Sequence, residues 1–237
     1  MNPGSILEQF LGPNALQTLQ QAGGNAKQKV DGMGGGGFAG GAVAGGLLGL
    51  LVGNKKARKM AGGLLGYGAA AGAGALAYQA YQNWKQGAAV ATAPVPTQQD
   101  LPKVDKAFLP QNTVAIGGQP FELVLVKAMI GAAKADGHID GAEQKHIFEQ
   151  VEKMGLDAES KAFVFDALSQ PADPAAIAAA ASGIEQASEI YLVSRLAIDP
   201  DHVAERAYLQ ALGHRLQLPA DLIAHLDHQV EAGTTTA

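Results

Sequence analysis

Cysteine is absent from this 237-residue chain. Disulfides, thiolate metal sites and cysteine nucleophiles are therefore excluded, while the redox compartment stays open. No serine sits in a GxSxG elbow and no histidine pair forms HExxH, so the local signatures of serine hydrolases and zinc peptidases are missing. The stretch GMGGGGFAGG from Gly32 is glycine-rich, but it has neither a GKS/T ending nor a strand-like run before it, which excludes a phosphate loop. Finger spacings, a basic zipper and interleaved basic and aromatic residues are also lacking, so nucleic acid is not an expected partner. The first 30 residues carry no charged stretch leading into an apolar core, and a cleaved signal peptide is not expected.

Charge is unevenly placed. Residues 1–118 hold nine Lys or Arg against four Asp or Glu, whereas residues 119–237 hold eight against eighteen, so the overall -5 averages two unlike halves. A basic amino half suits anionic lipid or another acidic partner. Residues 1–31 read as a short amphipathic and flexible segment, with Ile6, Leu7, Phe10 and Leu11 on one helix face.

Glycine dominates the next stretch, with seventeen in the 43 residues from Gly32 to Gly74. Each costs an exposed helix about 1 kcal/mol relative to alanine, so water is a poor setting for this run. Gly37, Gly41, Gly45, Gly49 and Gly53 recur every fourth residue, and Gly62, Gly66, Ala70 and Gly74 repeat the interval. This small-xxx-small glycine zipper lets helix backbones approach closely in lipid. Met60 to Trp84 carries no charge and, at about 1.5 Å per residue, covers a hydrocarbon layer of roughly 30 Å. Residues 32–85 are therefore expected to be a membrane region, with a transmembrane helix at 60–81, a marginal second span at 37–53, and Tyr78, Tyr81 and Trp84 as an interfacial girdle. Lys55, Lys56, Arg58 and Lys59 between the runs favour a cytoplasmic amino side if one helix crosses, whereas a hairpin would return the acidic half to that side. Self-association through the glycine faces is the corresponding expectation for assembly.

Residues 86–120 contain Pro94, Pro96, Pro102 and Pro110 and read as a linker in which VDKAFLP is the segment able to dock. Residues 121–233 show apolar spacings of three and four without alternation, which predicts an all-α bundle of about seven helices. Asp173 before Pro174 marks a cap and first helical position, and further helices are expected over 184–197, 201–216 and 220–231.

This bundle contains an internal repeat. Glu143 is followed thirteen residues later by LDAE from Leu156, and Glu205 thirteen residues later by LPAD from Leu218. Two related helix-turn-helix units are the expected fold. If their turns converge, Asp136, Asp140, Glu143, Asp199, Asp201 and Glu205 form an acidic corner whose oxygen ligands suit Ca2+ or Mg2+. An EF-hand is excluded, since a count starting at Asp136 puts His138 third and Ile147 twelfth, where a glutamate is required. The competing reading is structural: Asp140 with Glu143 makes a capping box, and Asp199 with Pro200 caps the later helix. His225 and His228, three apart with Asp221 and Asp227 nearby, have the spacing of a weak transition-metal site, against the default reading of a solvated helix face.

The ADGHIDGAE turn, the later IDPDHVAERAYLQALGHRLQLP segment and the glycine-rich lead into YQAYQNW resemble a bacterial family, domain of unknown function 533, whose carboxyl half is similar to the tellurite-resistance B-like domain. The resemblance implies an all-helical bundle with an acidic cation site, onto which Asp136, Asp140, Glu143 and Glu205 fit, and a place in the bacterial inner membrane. The combined expectation is a membrane-associated helical adaptor or scaffold in envelope or stress physiology, with lipid, a second copy or a protein as partner. No catalytic residue is assigned and no enzyme is expected. A metal-dependent hydrolase using the acidic corner, and a soluble interaction protein with a disordered glycine-rich tail, are the alternatives.

Overall fold

A computed structural model describes residues 69–94, 96–110, 113–135, 158–198, 200 and 202–235. Among these residues the α-helices are α1 (Ala69–Lys85), α2 (Phe121–Ala133), α3 (Ala158–Ser169), α4 (Pro174–Ala179), α5 (Ile184–Ala197), α6 (Val203–Arg215) and α7 (Ala220–Thr235). The described residues form no sheet, and one isolated β-bridge among them joins Val114 to Pro120. The expected all-α class is what the described residues adopt.

Helix α5 organises the rest. Every residue from Gln186 to Ala197 is buried, a condition a helix can meet only when neighbours cover it all round. Helices α1, α2, α4, α6 and α7 all pack on it. Ile190, Leu192 and Leu196 of α5 meet a core that also includes Leu76, Phe121, Leu125, Met129, Leu212 and Leu222.

The small residues of α1 serve this protein core. Ala73, Ala75, Leu76, Ala77 and Ala80 are buried, and the helix packs on α5 and α7. Short side chains allow backbones to approach, and a polypeptide neighbour uses that property as well as a lipid-embedded one. The expected transmembrane helix over 60–81 and the inner-membrane placement are corrected accordingly: among the described residues no helix is long and apolar enough to cross a membrane. The expected aromatic girdle is also an internal feature. Tyr78 and Tyr81 pack on Phe108 with ring centroids 5.4 and 5.5 Å away, and Trp84 packs on Tyr81 at 5.7 Å. The marginal span at 37–53 and the amphipathic segment at 1–31 lie outside the described residues.

The proline-bearing stretch after α1 is pinned down. It forms 3₁₀ turns at Val90–Thr92, Gln98–Lys103 and Lys106–Phe108, and its VDKAFLP segment buries Val104 and Phe108. Asp105 starts the last turn by accepting a 2.9 Å hydrogen bond from the Ala107 N–H. Carbonyls that no helix uses are taken up by side chains: Asn83 and Gln229 donate to Pro94 O at 3.3 and 2.8 Å.

Local signals place several helix ends. Asp173 accepts from the N–H groups of Ala175 and Ala176 at 3.0 and 2.9 Å, with Pro174 as the first helical residue. Helix α6 starts later than Asp199 and Pro200 suggested. His202 occupies its cap position without a side-chain bond, and Arg206 Nη1 donates to Pro200 O at 2.8 Å. The α6–α7 turn places Gln217 at φ 55, where its N–H reaches His214 O at 3.1 Å and the Leu218 N–H reaches Gly213 O at 3.2 Å.

Candidate functional site

Of the acidic residues singled out by sequence, Asp136, Asp140, Glu143, Asp199 and Asp201 lie outside the described residues, as does the first turn of the repeat. Glu205 is half-buried in the first turn of α6, where the helix dipole favours negative charge. Among the described residues no group of three or more His, Asp or Glu could hold a metal ion, which corrects the metal-binding description for this part of the chain. The histidines of α7 do not form a solvated face: His225 is buried, and His228 Nε2 lies 3.1 Å from Ala93 O.

A charged corner does form, between α5 and α7. Tyr191 and Arg195 stand one turn apart on α5, and Asp227 and Glu231 stand one turn apart on α7, so the two pairs match in register. Arg195 Nε is 3.5 Å from Asp227 Oδ1 and its Nη2 is 3.5 Å from Glu231 Oε1. Tyr191 donates to Asp227 Oδ1 at 3.2 Å, and Arg195 Nη1 donates to Ile198 O at 3.3 Å. Burial raises the Asp227 carboxyl above its usual range, while Arg195 and the Tyr191 hydroxyl pull it back. Burial, reinforced by Asp227, also pushes the Tyr191 phenol upward. These bonds tie the late part of α7 to α5.

Earlier in α5 sits Glu189, which is 0% exposed. Neither carboxyl oxygen has a hydrogen-bond partner among the described residues, and burial raises its pKa well above the glutamate range. Burial of this kind disfavours the charged form of the acid. A Cβ built at Gly74 would lie 3.4 Å from Glu189 Oε2, so the acid faces the α1 backbone. Sequence reasoning passed over Glu189, although the apolar run Ile190 to Val193 beside it signalled a buried helix.

An open groove of about 570 Å3 is bordered by the 113–120 turn, α4, α5 and the end of α6. Alanines 175, 178, 179 and 181 shape its wall with Ile184 and Leu216. Ile116 stands at its edge, 58% exposed, next but one to Val114 at 64%. The turn that carries them is held rigidly: the Ile116 N–H donates to Ala180 O at 2.9 Å, and Gln186 Nε2 donates to Val114 O at 2.9 Å. Gly117 and Gly118 adopt φ 95 and 82, which the reversal requires. Arg215 lines the same groove, its guanidinium making a long 3.4 Å bond to Ala211 O in its own helix.

Residues 37–230 match the family described as "Protein of unknown function (DUF533)". The chain belongs to the DUF533 family. The match takes in α1, the docked proline-bearing stretch and most of α7, so the DUF533 region contains Glu189, Arg195, Asp227 and the groove. A relative by sequence is the Yersinia enterocolitica protein described as "Uncharacterized protein in ampR 5'region", 40% identical over 98 residues that make up 41% of this chain and 70% of that protein. No solved structure matches.

Proposed function

We propose that this DUF533 protein is a helical adaptor whose groove beside Ile116 receives an apolar, acid-bearing segment of another protein. The observation that carries the reading is the pairing of exposed Val114 and Ile116 with an alanine-walled groove on a rigid frame. Large apolar side chains at a groove edge are a usual mark of a protein contact. Arg215 supplies a cation for an acidic residue in the bound segment. The buried Glu189 and the half-buried Asp227 do not line the groove; they act in helix packing. The resemblance to the all-helical tellurite-resistance B-like bundle accords with a scaffold of this kind.

A photo-crosslinking residue placed at Ile116 of the full chain in its native cells tests the proposal, with exposed Lys103 as the control position. A discrete adduct at position 116, absent at 103 and lost when Ala178→Glu fills the groove, is the expected result. Equal labelling at both positions, or an adduct indifferent to Ala178→Glu, contradicts it.

A further inference from the structure

We propose that a second cleft, between α2, α3 and α4, binds a free amino acid with an apolar side chain. The cleft has a volume of about 240 Å3 and is partly open to solvent. Its floor is apolar: Val124 and Ile130 come from α2, and Ala176 and Ile177 from α4.

Charge selects the ligand. Among the described residues four charged side chains line the cleft, and two of them are committed to the fold. Lys134 Nζ donates to Leu168 O at 2.7 Å and also to Gln170 O, closing the end of α3. The Asp173 carboxylate caps α4. The remaining pair has no charged partner among the described residues. Lys127 Nζ meets the face of Phe163, 5.1 Å from the ring centroid, and the Asp166 carboxylate accepts from Gln170 Nε2 at 2.7 Å. Lys127 belongs to α2 and Asp166 to α3, so a cation and an anion without charged partners among the described residues line the same cavity from different helices.

A lone anion would satisfy Lys127 and leave Asp166 repelling it; a lone cation would do the reverse. A zwitterion satisfies both, with its carboxylate toward Lys127, its ammonium toward Asp166 and an apolar side chain on the Ile130 and Ile177 floor. The polar groups also restrict the class, because masking either charge leaves one protein group unmatched.

Isothermal titration of the full chain with valine, leucine, isoleucine and methionine tests this, with N-acetylleucine, leucinamide and glycine as comparisons. At least one of the four should bind, and the acetyl and amide derivatives of leucine should bind at least about tenfold more weakly than leucine. Lys127→Met and Asp166→Asn, both at exposed positions, should each weaken amino-acid binding by about tenfold or more while leaving the melting temperature of the ligand-free protein unchanged. No heat from any of the four at about 10 mM overturns the proposal, since a site that weak would be empty at ordinary metabolite levels. Binding that survives both variants, or that is as strong for the masked derivatives, overturns it too. These outcomes leave the groove at Ile116 untouched, so the two proposals stand or fall separately.

Discussion

Gly74 of α1 lies against the carbonyl of Phe108, so close that a Cβ at position 74 would overlap the carbonyl oxygen. The contact explains why a helix otherwise rich in alanine keeps glycine there. It also joins the docked VDKAFLP segment to the core, because the Phe108 ring inserts beside Tyr78 and Tyr81.

Gly74→Ala should therefore destabilise the protein. Alanine gains about 1 kcal/mol in helix propensity, but overpacking against a backbone atom costs about 1–3 kcal/mol or more, with the severity of this overlap pointing to the upper end. A net loss in denaturant unfolding is expected, together with faster proteolysis around residues 98–109. A neutral or stabilised variant would show that Phe108 does not dock at this position.

Glu189 predicts a pH dependence of defined sign. Its folded pKa is raised by burial, so its contribution to stability is whole below the ordinary glutamate range and is lost as pH rises toward the folded value. In that window stability falls by about 1.4 kcal/mol per pH unit for this one group. Glu189→Gln removes the titration, so the stability difference should move in favour of the variant as pH rises above the ordinary glutamate range toward the folded pKa. Glu122 is shifted in the same direction by burial, but it is present in both proteins and cancels in the difference. A pH-independent difference would mean that Glu189 is solvated.

Arg195 and Asp227 should be energetically coupled. Arg195→Ala leaves the Asp227 carboxylate and the Tyr191 hydroxyl in a partly buried corner and is expected to cost about 1–3 kcal/mol. Adding Asp227→Asn should cost less than the two single losses combined, because the second change removes the group that the first left unpaired. Additivity within about 0.3 kcal/mol in a double-mutant cycle would show that the corner does not bind α7 to α5.

Local chemistry was readable in the sequence where it acts locally. Asp173 before Pro174 marks the start of α4 because cap and fixed φ operate within a few residues. The span expected at 184–197 is α5, whose apolar positions follow the helix period. The environment of α1 was not readable. Alanine and glycine at intervals of four show that something approaches closely, and lipid-embedded helices and protein neighbours make the same demand. What decides between them is the set of apolar positions on α5 and α7, separated from α1 by about a hundred residues of chain. Helix α6 shows another limit, since Asp199 and Pro200 look like a cap while the helix begins at Val203.

The candidate sites divide in the same way. Glu189 was missed because a carboxylate in a helix ordinarily faces water, and only the covering of α5 on every side reverses that assumption. Ile116 and Val114 looked like linker residues; their exposure beside a groove depends on the turn being fastened to α4 and α5 by hydrogen bonds between distant residues. The acidic corner drawn from Asp136, Asp140, Glu143, Asp199 and Asp201 falls on residues outside those described, and Glu205 alone has a place in the structure.

Residues 69–85 form a core helix of the bundle, and amide hydrogen exchange on the full chain, purified without detergent, is the decisive test of that assignment. Amides from Leu76 to Tyr81 should be as slow as those from Leu192 to Leu196, because both sets open only when the α1–α5 packing is lost. Rapid exchange across Leu76 to Tyr81 while Leu192 to Leu196 stay protected would mean that α1 is no part of the core.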